Sequence, residues 1–481
     1  MLTFTALAGP VYQPLGSNLT YGDVTHGQRV QSASSNPAAA AADVVRGGGA
    51  SARGTVVSGA AGLEYGNLQD VFDKIDSLSK AFKPSPPDSG GGGPGQDPDE
   101  KPDDGINIGD IIDSLDPDAE AALAALASEV ITRAVLLDVI RNEGYGKAFV
   151  AADAPFVIGR EFLGGAWTFG VNWSGTSKAF GVVQRLEFNS DAALAALDQA
   201  IALQPGDPIE EFDLTGGIKM RVDPGTGDPD TGSVKLVFDN DSSMVTKASK
   251  TTEINFGYSR QAWSSSAGSL YLGAEMKVYL MSLTRLSVRF GDITDSDELF
   301  DAIRDSEFRS DNEFGIDIGA LWVAPRYQLG FQVTNINKPD FEFPDVNLTP
   351  YKNPGVINFL QRDQKYTMER QVKLEASLFS ANRRWTANLG LDANAVPDPM
   401  GDDFQWLTLS GGYLTDSWWL PGARIGYRRN LAGSELQYLG LGATVVKILN
   451  IDVASTFDTV SINGEKLPRG LMASIGFQIA W

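Results

Sequence analysis

Charged residues recur at alternate positions through the second half of the chain, and any chemistry would have to use them. Glu253, Glu275, Lys277, Lys373, Glu375, Arg384, Asp392, Arg424, Arg428 and Asp452 all fall on one side of a period-two pattern. Two roles fit: a polar path with an arginine cluster that grips carboxylates, or mutual ion pairing that fills an interior. Arg384, Asp392, Arg424, Arg428 and Asp452 are expected to gather as an inward polar cluster. Carboxylate pairs could also hydrolyse glycosides, but among 61 acids such pairs arise by chance, and no enzyme is expected. The chain has no cysteine and one histidine, His26. Thiol nucleophiles, zinc–thiolate sites and three-histidine metal sites are thereby excluded. His26 also precedes every expected strand, so a serine–histidine pair on a strand wall is not available. Asp223, Asp228 and Asp230, with Asp239 and Asp241, could take calcium in loops. Their spacing matches no EF-hand, and solvated turns are the simpler reading. No cofactor is expected.

The elements that would position these side chains are long strands. Trp167, Phe169, Val171 and Trp173 alternate with polar or small residues, and so do Leu270 to Leu280, Phe314 to Trp322, Trp385 to Leu391, Ala423 to Tyr427 and Leu449 to Phe457. From about residue 165 onward such segments number about 14, most of about 10 residues or more. A bilayer-crossing strand needs roughly 9–11 residues, whereas strands of soluble proteins average roughly 5–6. Turn signals separate the segments, among them Ala324-Pro325, Ser380-Ala381-Asn382 and Ala432-Gly433. The polar face mixes both charge signs with glycine and tyrosine, as a filled interior would. Aromatics such as Trp406, Tyr413, Trp418, Trp419 and Tyr438 gather at segment ends, as an interfacial girdle requires. The fold expected is an all-β transmembrane antiparallel barrel of about 14 strands. Trp167, Phe314, Ile318, Trp385, Leu389, Ile475, Phe477 and Ile479 should face lipid.

Composition agrees. The chain of 481 residues carries a net charge of −22, which argues against nucleic acid as a partner. Mean hydropathy is −0.13, too polar for a helical membrane protein, but strands that are half apolar survive that test. Residues 1–8 read as a signal-peptide remnant, with Ala6-Leu7-Ala8 before Gly9. Residues 9–60 are expected to form a plug and first strand, with a strand near 47–58. Residues 61–150 read as a helical insertion, interrupted by an acidic, Pro/Gly-rich linker at 84–105. Its long helix, from about Ala119, carries Glu120, Glu129, Arg133 and Asp138 and should pack in a soluble module. Residues 151–481 are assigned to the barrel.

The last residues, Phe477, Ile479 and Trp481, resemble the outer-membrane assembly signal. Asn36-Pro37-Ala38 resembles the plug motif of FadL-like barrels, the long-chain fatty-acid transporter superfamily. The block Asn312–Phe341 is similar to the middle of the TraF-like outer-membrane family, named for conjugal transfer, in the same superfamily. The resemblance implies a bacterial outer-membrane barrel with an N-terminal plug. Some members pass hydrophobic small molecules, and others act as structural barrels that anchor secretion, conjugation or surface assemblies. Both functions stay open at this point. The partners implied are outer-membrane lipid and lipopolysaccharide, the barrel-assembly machinery, and a protein partner on the helical insertion.

Overall fold

A computed structural model describes residues 14–26, 35–46, 54–67, 106–107, 119–158, 163–292 and 306–480, apart from 187, 205, 215–216, 226–232, 363, 416 and 463. The expected signal remnant, the acidic linker, Trp481, Asp228 and Asp230 lie outside the described residues.

Fourteen strands close into one antiparallel barrel. They are Gly54–Tyr65, Tyr145–Ile158, Ala166–Val182, Ser243–Ser265, Gly268–Arg289, Arg309–Val323, Tyr327–Thr334, Gln371–Phe379, Trp385–Asp392, Trp406–Tyr413, Gly422–Asn430, Gln437–Val445, Leu449–Thr456 and Gly470–Ala480. Each wall strand pairs with the next, and Gly470–Ala480 closes the ring on Gly54–Tyr65, with Gly59 opposite Ile475. The strand count matches expectation, but its distribution does not. The wall from Ala166 onward holds only twelve, and Gly54–Tyr65 and Tyr145–Ile158 supply the others. Tyr145–Ile158 carries Phe149, Ala151 and Val157 on its inward face, so its apolar–polar contrast is weak. The expected insertion at 61–150 therefore narrows, because both of its boundaries fall inside wall strands.

Register fixes the faces. Ile451 lies opposite Ile475 and Val453 opposite Ala473, while Asp452 lies opposite Ser474. Phe314, Ile318, Trp385, Leu389, Ile475, Phe477 and Ile479 are exposed on the outer face. Trp167 shares that face and packs at 5.0 Å from Phe256 and 4.7 Å from Tyr258.

The two barrel ends differ. At the end where the chain reaches Ala480, connections are short, as at 266–267, 324–326 and 446–448. At the other end they are long, and Ala166–Val182, Ser243–Ser265 and Gly268–Arg289 rise above the rest of the wall. The 23 residues of Ser243–Ser265 run about 75 Å at about 3.3 Å each, well beyond a hydrocarbon core of about 30 Å. The residues of outward parity change accordingly, from Met276 and Val278 to Ser282, which hydrogen-bonds Ser310, and Thr284, which is buried and donates to the Glu307 carbonyl.

That raised wall carries a small α/β module that sequence periodicity did not separate from the barrel. Its four-stranded sheet is ordered Ile106–Asn107, Ser233–Phe238, Ile218–Asp223, Glu210–Asp213. The helices Ala119–Glu143 and Ser190–Ile201 cover it, the second capped by the Asn189 side chain at 3.0 and 3.1 Å. Val130, Leu137, Ile140, Leu197, Ile218, Met220 and Phe238 form its core, which continues onto Met244 and Phe290 at the top of the wall. The long helix thus packs into the module's core through Val130, Leu137 and Ile140. The module draws on two insertions, one before Tyr145 and one at 183–242. Ile218–Asp223 alternates just as a barrel strand does, so alternation alone cannot tell the two apart.

Candidate functional site: the plugged lumen

The N-terminal segment lines the inside of the wall. Gly16 N donates to Ser474 Oγ at 2.8 Å, Thr20 Oγ1 to Asp452 at 2.5 Å, and Ser410 Oγ to the Tyr21 carbonyl at 2.8 Å. Asp23 pairs with Lys373. Thr25 Oγ1 donates to Glu375 at 2.7 Å, and Asn36 Nδ2 to the same carboxylate at 3.1 Å. Ala41 N donates to Ser259 Oγ at 3.0 Å. His26 is fully buried in this segment, with Nε2 2.9 Å from Asn18 Oδ1.

Asn36-Pro37-Ala38 acts through backbone geometry. Asn36 Oδ1 accepts from Ala38 N at 2.9 Å, and the Asn36 carbonyl accepts from Ala39 N at 2.9 Å, where the helix Ala39–Arg46 begins. Asn36 is therefore the cap, and Pro37 occupies the first turn, where its missing N–H costs nothing. Inward glycines make room for this segment. A Cβ on Gly426 would lie 1.8 Å from the Thr20 carbonyl oxygen, and one on Gly273 would lie 2.2 Å from that of Pro37. Such glycines, isolated on a face of long polar side chains, are the sequence signal for the plug's seat that was missed.

Four of the five cluster residues come inward. Arg424 grips Asp452 with Nε at 2.7 Å and Nη2 at 2.5 Å, both side chains essentially fully buried, and also donates to Thr444 at 2.7 Å. Arg428 is buried, with its guanidinium 3.8 Å from the centre of the Trp406 ring. Asp392 accepts from Trp406 N at 2.8 Å. These groups are therefore not one cluster but anchors for the plug and for the wall beneath the mouth. Arg384 is a correction: it lies in the turn between Phe379 and Trp385, exposed at the short-turn rim. Its parity is inward, but the strand has ended before it. Lys277 binds Asp317 at 3.0 Å, Glu253 at 3.4 Å and Glu275 at 3.6 Å.

Long loops close the upper mouth. Phe341, Phe343, Tyr366 and Met368 pack on Tyr279, Met281 and Leu283 of the raised wall. The helix Pro354–Arg362 sets Val356 and Leu360 against Val182 and Val245. Lys147 ion-pairs with Asp398, and Lys147 and Lys178 both hold Asp402, clamping residues 393–405 across the opening. Burial alone would raise the Asp402 carboxyl, but the two lysines outweigh it and hold it at about 2. Asp239 and Asp241, candidate calcium ligands, instead anchor another loop: Asp239 binds Lys352 at 2.8 Å, and Asp241 accepts from the backbone N–H groups of Lys352 and Asn353. Between plug and mouth lies a cavity of about 200 Å³, lined by Asp153, Glu253, Lys277, Lys373, Asp392 and Arg428 among others.

Among solved structures, the chain is similar to a TodX deltaS2S3 mutant monoaromatic hydrocarbon channel, at 10% identity and TM-score 0.40, covering 99% of this chain and 98% of that one. It is also similar to a Pseudomonas aeruginosa FadL homologue, at 11% identity and TM-score 0.29, with the same coverage. No match emerges among curated proteins. The family model described as F plasmid transfer operon, TraF, protein matches residues 33–392, from just before the Asn36 cap to the end of the strand that carries Asp392, and the chain belongs to that family.

Proposed function

We propose that this protein is an outer-membrane barrel, closed at rest, that serves as a fixed platform for the α/β module at its long-loop end. Short turns are typical of the periplasmic side of such barrels and long loops of the outer side, so the module would face the cell exterior and meet a protein partner there. The observation that carries this reading is the character of the space inside. Nine charged side chains line the cavity between plug and wall, beside neutral polar groups and scattered apolar ones such as Leu15, Phe404 and Trp406, whereas the apolar surface of the upper mouth is already covered by the chain's own Phe341, Phe343, Tyr366 and Met368. A slender hydrophobic compound would therefore have to lie among charged side chains in this state.

A second reading, passage of a hydrophobic small molecule, draws on the same cluster. If the 335–370 loop swung away, Tyr279, Met281 and Leu283 would present an apolar surface to an incoming compound. Displacement of a fluorescent fatty acid from purified protein separates the two. The platform reading expects no saturable binding by wild type, and none after Phe341→Ala and Tyr366→Ala open the mouth. Saturable binding by wild type, strengthened by those substitutions, would replace the platform with the passage.

A further inference from the structure

The closed mouth sits over a row of like charges. Lys147 lies opposite Lys178, Lys178 opposite Lys247, and Lys247 opposite Arg285, so four neighbouring strands of the wall each put one cation at a single level of the lumen face. Neighbouring strands stand about 4.8 Å apart, and like charges directly opposite one another destabilise a sheet. Lower in the lumen a cation is answered by acids of the wall itself, as where Lys277 binds Asp317, Glu253 and Glu275. On the row the answering acids come from a loop. Its tip is a small hairpin, Val396–Pro397 with Asp403–Phe404. Asp398 and Asp402 both bind Lys147, and Asp402 also binds Lys178. Gly401 reaches the next lysine: a Cβ there would lie 3.9 Å from Lys247 Nζ. Lys147 and Lys247 are buried beneath this tip, with their ammonium groups 4.6 Å from the centre of the Phe404 ring and 5.0 Å from that of Phe343.

We propose that Lys147, Lys178 and Lys247 form a binding site for a compact dianion, occupied in the closed state by the chain's own Asp398 and Asp402, and that such a ligand opens the mouth by taking their place. Seat and occupant differ in how firmly they are built. The lysines stand on long wall strands whose register is fixed on both sides, so they keep their positions when the hairpin lifts. The hairpin ladder has two residues a side and, among the described residues, pairs only with itself. Lifting it leaves three ammonium groups side by side at the open mouth, a state that an anion stabilises. A ligand that binds only that state shifts the balance toward it. The class of ligand follows from the occupant. Asp398 and Asp402 share the Lys147 nitrogen, so two carboxylates lie side by side, as in a short dicarboxylate, and a phosphate group offers the same charge in similar space. A fatty acid, with a single carboxylate, fills half of the seat. The proposal concerns the closed mouth that both readings of function share, so it stands or falls apart from the fatty-acid displacement assay.

Hydrogen exchange of the full chain in micelles, at constant ionic strength, reads the hairpin directly. Succinate or inorganic phosphate should speed exchange at residues 396–404 saturably, by about threefold or more over chloride, and acetate at twice the concentration should not. A response to succinate alone assigns a dicarboxylate, and a response to phosphate alone a phosphate ester. Asp398→Asn combined with Asp402→Asn removes the tethered competitor, whose effective concentration is about millimolar. The amide keeps the oxygen that accepts from Met400 N and Asp402 N at 2.9 Å, so the turn is preserved. Calorimetry should then show the responding anion bound about tenfold tighter than by wild type. Lys247→Gln leaves the ion pairs of Asp398 and Asp402 with Lys147 and Lys178 in place, yet should raise the half-saturating concentration about tenfold, which a simple latch on Lys147 and Lys178 would not do. Exchange no faster in either dianion than in chloride, an equal response to acetate, or an unchanged half-saturating concentration in Lys247→Gln would overturn the proposal. Should the double variant fail to fold, the wild-type titration and Lys247→Gln decide it alone.

Discussion

Gly426→Ala adds one methyl group to the wall and should loosen the plug without harming the barrel. The new Cβ would lie 1.8 Å from the Thr20 carbonyl oxygen, where ordinary contact begins at 3.4 Å. Thr20 must therefore retreat by about 1.6 Å, the difference of those two distances. Its hydroxyl now donates to Asp452 at 2.5 Å, and a retreat of that size carries it past hydrogen-bonding range. A hydrogen bond to a charged group contributes about 1.5–3 kcal/mol, so the plug-released population should rise roughly tenfold to a hundredfold. The backbone oxygen cannot rotate away as a side-chain tip could. Gly59→Ala is the control: it faces outward, and its Cβ would meet only the Ala151 carbonyl oxygen at 3.8 Å. Limited proteolysis of folded protein reads plug release, and resistance to unfolding in detergent reads the barrel. Expected are faster cleavage within 14–46 in Gly426→Ala, wild-type behaviour in Gly59→Ala, and an intact barrel in both. Equal protection of the plug in all three proteins would refute the assignment of Thr20 to this seat.

Asp452→Asn leaves the buried Arg424 guanidinium without its counter-charge, a loss of about 3–5 kcal/mol; the denaturation midpoint should drop sharply, and a midpoint within error of wild type would contradict burial of the pair. Ile451→Arg puts a cation on the lipid face at about 2–4 kcal/mol near the midplane, while Asn450→Arg, one residue away, faces the lumen; refolding yields into bilayers should fall much further for the first, and the reverse order would mean the register is shifted by one. The mouth clamp should depend on pH in one direction only. Asp402 is held down from 3.8 to about 2, so its contribution is complete above pH 3.8 and is lost as pH falls from there toward 2, about 2 kcal/mol in all. Hydrogen exchange in residues 393–405 should be flat from pH 8 to 4 after correction for intrinsic rates, and opening that begins near neutrality would show that other groups hold the loop. Planar-bilayer recording of wild type should be silent, and steady large conductance would disprove closure.

The wall was legible where the two faces differ most. Phe314 to Trp322 alternate with Glu313, Gly315, Asp317 and Gly319, and the structure puts the first set on the lipid face and the second in the lumen. Gly54–Tyr65 was only half visible, because its small residues on both faces leave little contrast in hydropathy. The α/β module was hidden for the opposite reason. Its strand Ile218–Asp223 has full contrast, but the apolar side packs on helices rather than lipid. Length was the discriminating quantity, six residues there against 15 for Arg309–Val323, since only the second can cross a bilayer. Arg384 shows the limit of parity, which says where a side chain would point but not whether the strand still exists at that residue.

The path of the plug was written in the sequence more fully than its motif suggests. Taken in order, Gly16 meets Ser474, Thr20 meets Asp452 and Gly426, Tyr21 meets Ser410, Thr25 meets Glu375, Pro37 meets Gly273, and Ala41 meets Ser259. Plug numbers rise while wall numbers fall. Because each wall strand pairs with the next in sequence, that order means the segment runs around the inner circumference, from the closing strand back toward Ser243–Ser265. A chain laid along the wall fills the rim of the lumen and leaves its middle open. The cavity is therefore a consequence of how the plug is seated, and each inward glycine marks a point where the belt comes too close for a side chain. Two of those glycines, Gly273 and Gly426, lie on strands separated by five other wall strands, yet both are required by one segment of fewer than thirty residues. That coupling is invisible to alternation, which treats every strand alone, and it follows directly from closure of the ring.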